Sequence, residues 1–169
     1  MYDQPKYEPL EASSFFEDGQ SARPLVSGTV ARGDLRIDDH LYKGKVDGKL
    51  VETFPFPVDR AVMERGRERF NIFCSPCHGR VGDGHGMIVQ RGFSAPPSFH
   101  KDSLRQEPVG HFYDVITNGH GAMYSYASRV PPRDRWAITA YIRALQLSQS
   151  ATLDDVPAAI RHQLEEERP

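Results

Sequence analysis

Both cysteines of this 169-residue chain lie in one heptapeptide, Phe73-Cys74-Ser75-Pro76-Cys77-His78-Gly79. That placement constrains the fold more than any other feature. Cys-x-x-Cys-His is the attachment sequence of c-type haem: the two thiols add across the porphyrin vinyl groups, and the next His binds the iron. Two intervening residues let one turn of backbone present both sulfurs along one haem edge. The His directly after the second Cys is then carried over the ring face.

Other uses of the stretch fit less well. A redox dithiol of thioredoxin type sits near a βαβ pattern, and none is found around Cys74. A structural zinc site wants four protein ligands, and neither a second Cys pair nor a His-x3-5-His is present to complete one. The stretch reads as the anchor of one covalent haem c.

Apolar residues make up only 38% of the chain, with Gly 14 and Pro 13, which predicts a small, loop-rich domain with irregular arms. A covalent porphyrin would serve such a domain as a large apolar core element. The formal net charge of -2 gives no reason to expect nucleic acid or an anionic membrane surface as partner. No apolar run approaches the length of a membrane span. No charged segment followed by an apolar one opens the chain as in a secretory signal. Haem attachment of this kind resembles that of exported cytochromes, so the start at Met1-Tyr2-Asp3-Gln4 reads as a truncated or processed end.

Three regions are expected. Residues 1–57 show no sustained helical period, and Pro recurs at positions 5, 9, 24, 55 and 57. Lys45-Val46-Asp47-Gly48-Lys49-Leu50-Val51 reads as a small hairpin about an Asp-Gly turn. Tyr7, Leu10, Phe15, Phe16, Leu35 and Tyr42 are too many large side chains for a solvated linker, so 1–57 is expected to be an arm ordered by docking on partner subunits. The bland reading is a tail folded back on its own domain.

Residues 58–148 carry the helical pattern. Asp59 can cap a helix running to about Phe73, with Val62, Gly66, Phe70 and Phe73 along one face. Gly66 costs about 1 kcal/mol against Ala inside a helix, which suggests close approach by another helix. Glycines at 79, 82, 84, 86 and 92 mark loops, and Pro96-Pro97-Ser98-Phe99 forces extended backbone. A short helix over 108–118 would bury Phe112, Val115 and Ile116, and Gly119 would stop it. Pro131 and Pro132 start a strong helix to about Leu147, whose apolar face holds Trp136, Ala140, Tyr141 and Leu145. The tail, 149–169, carries a short amphipathic helix over 156–167.

With His78 on one side of the iron, the opposite ligand decides the chemistry. Met there raises the potential and closes the iron, which suits electron transfer; an open position allows binding or activation of small molecules. Met87 lies close after His78 in a Gly-rich loop, awkwardly placed to reach the far face, whereas Met123 sits in a loop between two helices. Met123 is the expected sixth ligand. His85, His100, His111 and His120 are competitors, with His120 the first bis-His alternative. Arg91, Tyr124 and Trp136 are candidates for touching propionates or ring.

These residues resemble the class I cytochromes c: Gly66-x-x-x-Phe70, Cys74-x-x-Cys77-His78, Met123, then Trp136-x-x-x-x-Tyr141 in a terminal helix. The resemblance covers 58–148 and implies an all-α fold, with a long, mostly irregular N-terminal arm and a short C-terminal helix around it. It implies that the first and last helices cross near Gly66 and Tyr141. Pro97-Ser98-Phe99-His100 looks like the family segment whose Pro carbonyl accepts the proximal His Nδ1–H, which would make Pro97 that acceptor, with Pro96 the alternative. A narrower likeness joins Asp3-Gln4-Pro5-Lys6-Tyr7-Glu8-Pro9-Leu10, Phe15-Phe16, Arg23-Pro24-Leu25 and 126–136 to the monohaem cytochrome c subunit of bacterial alternative complex III.

That likeness implies an electron-transfer subunit, not an enzyme by itself, in a quinol-oxidising respiratory complex on the periplasmic side of the inner membrane. Electrons would pass from a multihaem cytochrome to a downstream carrier or oxidase. Membrane association would come from partner subunits or from a lipidated Cys upstream of Met1. The competing expectation is a haem enzyme or small-ligand sensor with an open sixth position, using His85 or His120 as distal residue.

Overall fold

The computed structural model describes residues 4–158, 160 and 161, and the chain divides into two units at Arg36/Ile37. Within the first unit the backbone is irregular, with a bridge between Ala12 and Gln20. The Ser13 hydroxyl is buried and donates to the Tyr7 hydroxyl at 2.9 Å. Arg23 lies 4.0 Å over the Phe16 ring and 2.8 Å from the Asp18 carboxylate. Leu10, Phe15, Leu25, Val26, Val30 and Leu35 remain exposed.

The second unit opens with α1 (Asp39–Lys43), capped by the Asp38 carboxylate accepting from the Leu41 amide and stopped by Gly44. Strands β1 (Lys45–Val46) and β2 (Lys49–Leu50) follow as an antiparallel pair with Lys45 opposite Leu50. Asp47 and Gly48 both have positive φ, 50° and 75°, as a two-residue I′ hairpin turn requires. The hairpin matches the expectation.

Its surroundings do not match a boundary at residue 57. Leu41, Val51, Phe54 and Phe56 pack against Val109, Tyr113 and Trp136. Trp136 Nε1 donates to the Leu41 carbonyl at 2.9 Å, and the Tyr113 hydroxyl donates to the Tyr42 carbonyl at 3.1 Å. Residues 37–57 are therefore a strap on the helical domain. Their apolar side chains fill a second core on the outer face of the helices, which a partner-docking arm would have left bare.

Helix α2 (Arg60–Phe73) starts at Asp59, whose carboxylate accepts from the Val62 amide. The single turn α3 (Ser75–His78) follows directly, then α4 (Asp102–Arg105), α5 (Val109–Asn118) and α6 (Pro132–Ser148). The crossing of α2 and α6 organises the main core. A methyl at Gly66 would collide with the Ala137 carbonyl oxygen and press on Tyr141 Cβ, so glycine there permits the approach. Phe70, fully buried, meets Tyr141 edge-on at 5.4 Å. Arg65 closes the crossing with a bidentate pair to Asp134 at 2.9 and 2.8 Å.

Helix α6 is buried on two faces. Ile138, Ile142 and Leu145 join the main core, while Trp136 joins the second core under the strap. Within α5, Phe112 and Ile116 are buried as expected, Tyr113 is buried as well, and Val115 is only half-buried. After α6 a 3-10 turn spans Leu153–Asp155, and helical backbone stands at Ala158, Ile160 and Arg161. Val156 and Pro157 are not helical, and residues 159 and 162–167 of the helix expected over 156–167 lie outside the described residues.

Candidate haem-binding site

Helix α2 runs straight into the attachment turn, because the Cys74 amide still donates to the Phe70 carbonyl at 2.9 Å. The amides of Cys77 and His78 both donate back to the Cys74 carbonyl, at 3.2 and 2.9 Å. The Gly-rich loop then folds onto that turn. Gly84, Gly86 and Ile88 donate to the carbonyls of His78, Cys77 and Pro76, at 2.8, 3.0 and 3.0 Å. A side chain at Gly86 would strike the Pro76 carbonyl, so this glycine serves a close backbone approach.

Two cavities open beside the turn, of about 230 and 210 Å³. Three residues line both: Cys74, His78 and Met123. Cys77 and Tyr124 line the second, and Pro97 lines the first. The walls of the first are largely apolar, with Phe99, Phe112, Ile116 and Ile142 among them. Arg91 and Trp136, expected as haem contacts, line neither. Arg91 ends an exposed 3-10 turn, Val89–Arg91, and Trp136 belongs to the strap-covered core. Among the histidines, His111 and His120 line the first cavity. His85 and Met87 line neither and are exposed, and His100 Nε2 is held 2.7 Å from the Val81 carbonyl oxygen.

The His78 ring stacks on Phe99, with centroids 4.6 Å apart and planes 13° apart. Its Nδ1 is buried without a hydrogen-bond partner. Burial pushes the His78 pKa down to about 4, which keeps the imidazole neutral near pH 7 and its lone pair free for a metal. Burial, with a smaller push from Cys77, raises the Cys74 thiol to about 12. A redox dithiol needs the opposite shift. No cluster of three or more His, Cys, Asp or Glu that could hold a metal ion converges among the described residues.

For the acceptor facing His78, the two prolines differ. A Cβ at Gly84 would sit 2.5 Å from the Pro96 carbonyl oxygen, so that carbonyl faces the Gly-rich loop. Pro97 instead shares the first cavity with His78.

Met123 sits in a tight turn in which His120 and Met123 exchange backbone hydrogen bonds, both 2.9 Å. The loop is tied to α5 by the Ser125 hydroxyl on the Thr117 carbonyl at 2.5 Å and by the Tyr126 amide on the Ile116 carbonyl at 2.9 Å. Sequence reasoning missed Tyr126 and Arg129, which line the second cavity. The cluster of ring and cation around Met123 was visible in 124–129, but no spacing rule marks it.

This donor set fits a covalent porphyrin. Two thiols and an imidazole share one turn, the imidazole's second nitrogen is buried without a partner, and a thioether borders both cavities.

Residues 61–142 match the family described as Cytochrome C oxidase, cbb3-type, subunit III. No curated protein matches the chain. Among solved structures, a chain of the Kuenenia stuttgartiensis reducing HAO-like protein complex Kustc0457/Kustc0458 is similar at 20% identity and a TM-score of 0.48, over 63% of this chain. The present chain spans about half of that one, 54%. The fold is mostly helical, consistent with that of a class I cytochrome c, with an irregular N-terminal arm. The chain carries one covalent haem c.

Proposed function

We propose that this protein is the monohaem electron-transfer subunit of a bacterial alternative complex III, on the periplasmic side of the inner membrane. It would accept electrons from a multihaem cytochrome subunit and deliver them to a downstream carrier or oxidase. Support comes from the likeness of 3–10, 15–16, 23–25 and 126–136 to that subunit, which reaches beyond the haem domain. The apolar residues left exposed at Leu25, Val26, Val30 and Leu35 suit an arm that docks on a neighbour. Membrane attachment would run through partners or a lipid anchor.

At the site, Cys74 and Cys77 would carry the thioethers, and His78 and Met123 would hold the iron. Pro97, which lines the first cavity with His78, would offer its carbonyl to the unpartnered His78 Nδ1 and so orient the ring. Haem c would supply a one-electron iron centre, and the residues that hold and bury it would set its potential. The carrying observation is that Cys74, His78 and Met123 are the residues common to both cavities. Met123→Ala should abolish the thioether-to-iron absorption band and lower the potential. An unchanged spectrum would remove Met123 from the ligand set. Recovery of the native protein from detergent-solubilised membranes tests the assembly: a multihaem cytochrome should accompany it, and isolation alone would overturn the complex III reading.

His120 in the first cavity favours one alternative, a haem enzyme or sensor with a displaceable sixth ligand. Carbon monoxide added to the reduced protein separates the two. Slow or partial binding is expected; rapid, full binding would favour the open iron.

A further inference from the structure

Arg135 is 3% exposed, at the start of α6, where an amphipathic pattern would place a solvated cation. Its guanidinium is spread over both ends of the loop that bears Met123. Nε donates to the Val130 carbonyl at 2.8 Å and Nη2 to the Ala127 carbonyl at 3.0 Å, both at the far end of the loop. Nη1 donates to the Thr117 hydroxyl at 2.9 Å, at its near end, on the last turn of α5. Thr117 in turn donates to the Tyr113 carbonyl at 2.7 Å. The Tyr113 hydroxyl, 3.4 Å from Nη1, donates onward to the Tyr42 carbonyl in the strap.

We infer that Arg135 is a positioning residue for the sixth iron ligand: it clamps the two ends of the Met123 loop and so holds the thioether in place. The inference rests on Met123 being that ligand. The planar fork is what the site uses, since one rigid group reaches acceptors in three directions. An ammonium is a compact point charge and cannot span them. With the clamp gone, the buried Val130 carbonyl and the more open Ala127 carbonyl lose charge-assisted donors, and the loop opens more often. The Met–iron bond then competes less well with an added ligand.

The test is imidazole binding to the ferric, haem-loaded full chain, read by loss of the thioether-to-iron band. Helical circular dichroism and covalent haem content are followed in parallel. Arg135→Lys keeps the charge and removes the fork. It should retain helix and haem yet bind imidazole at least about tenfold more tightly, since each 1.4 kcal/mol lost from the native ligand is a factor of ten. A folded Arg135→Lys protein with wild-type imidazole affinity overturns the inference, because a merely structural arginine would lower the melting temperature without moving that affinity. Should Arg135→Lys fail to fold, Thr117→Val removes one acceptor of the clamp; tighter imidazole binding supports the inference and an unchanged affinity overturns it. Met123→Ala separates this from the underlying reading. If that variant keeps the band, the ligand assignment itself fails; if it loses the band while the clamp variants behave as wild type, only the clamp fails.

Discussion

Trp136 shows how one side chain can be assigned to the wrong neighbour. Its indole is fully buried, stacks on Tyr113 at 4.4 Å and donates to the Leu41 carbonyl. Trp136→Phe keeps most of the packing and removes one buried donor. A loss of about 1 kcal/mol is expected from the hydrogen bond, with a further contribution from the smaller ring. The denaturation midpoint should fall while the haem spectrum and potential stay at wild-type values; a shifted potential would return Trp136 to the haem. The turn that brings Cys74, Cys77 and His78 together was legible in sequence, because the attachment motif sets them at near-adjacent positions. Trp136 was not, because helical periodicity marks one apolar face and α6 buries two. Arg135 was hidden for a related reason: a cation reads as solvated until its acceptors, brought from three places in the chain, are known.

At the scale of elements, the α2–α6 crossing was readable because a glycine at helical spacing with Phe70 has a definite physical use. Gly66→Ala separates that use from its alternative. On an exposed helix face the change would stabilise by about 1 kcal/mol through propensity. Against the Ala137 carbonyl there is no room for a methyl, and overpacking of this kind costs about 1–3 kcal/mol. Chemical denaturation of the haem-loaded protein should therefore show a loss of stability; a gain would mean that the helices do not meet at Gly66. The hairpin was equally legible, since Asp47-Gly48 dictates its turn. Where the hairpin docks was not, because two-residue strands carry too little alternation to show which face is covered.

For the whole molecule, the question is which part of the first 57 residues the haem domain needs. Both cores draw their members from the second unit: the main one from α2 onward, the other from the strap with α5 and α6. Residues 4–36 contribute to neither. Removing 1–36 should leave the haem spectrum unchanged and alter stability by no more than about 0.5 kcal/mol, as for changes away from packed features. Removing 1–57 is a different operation. It strips the cover from Val109, Tyr113 and Trp136, and large apolar side chains lose about 1.5–3 kcal/mol each when their burial is undone. Against a total stability of about 5–15 kcal/mol, that loss should lower the melting temperature sharply or prevent accumulation of folded protein. Thermal melts of the two truncations beside the full chain decide the matter. Equal melting temperatures for both would mean that the strap contributes nothing. An equal, large drop for both would mean that the first 36 residues belong to the domain after all.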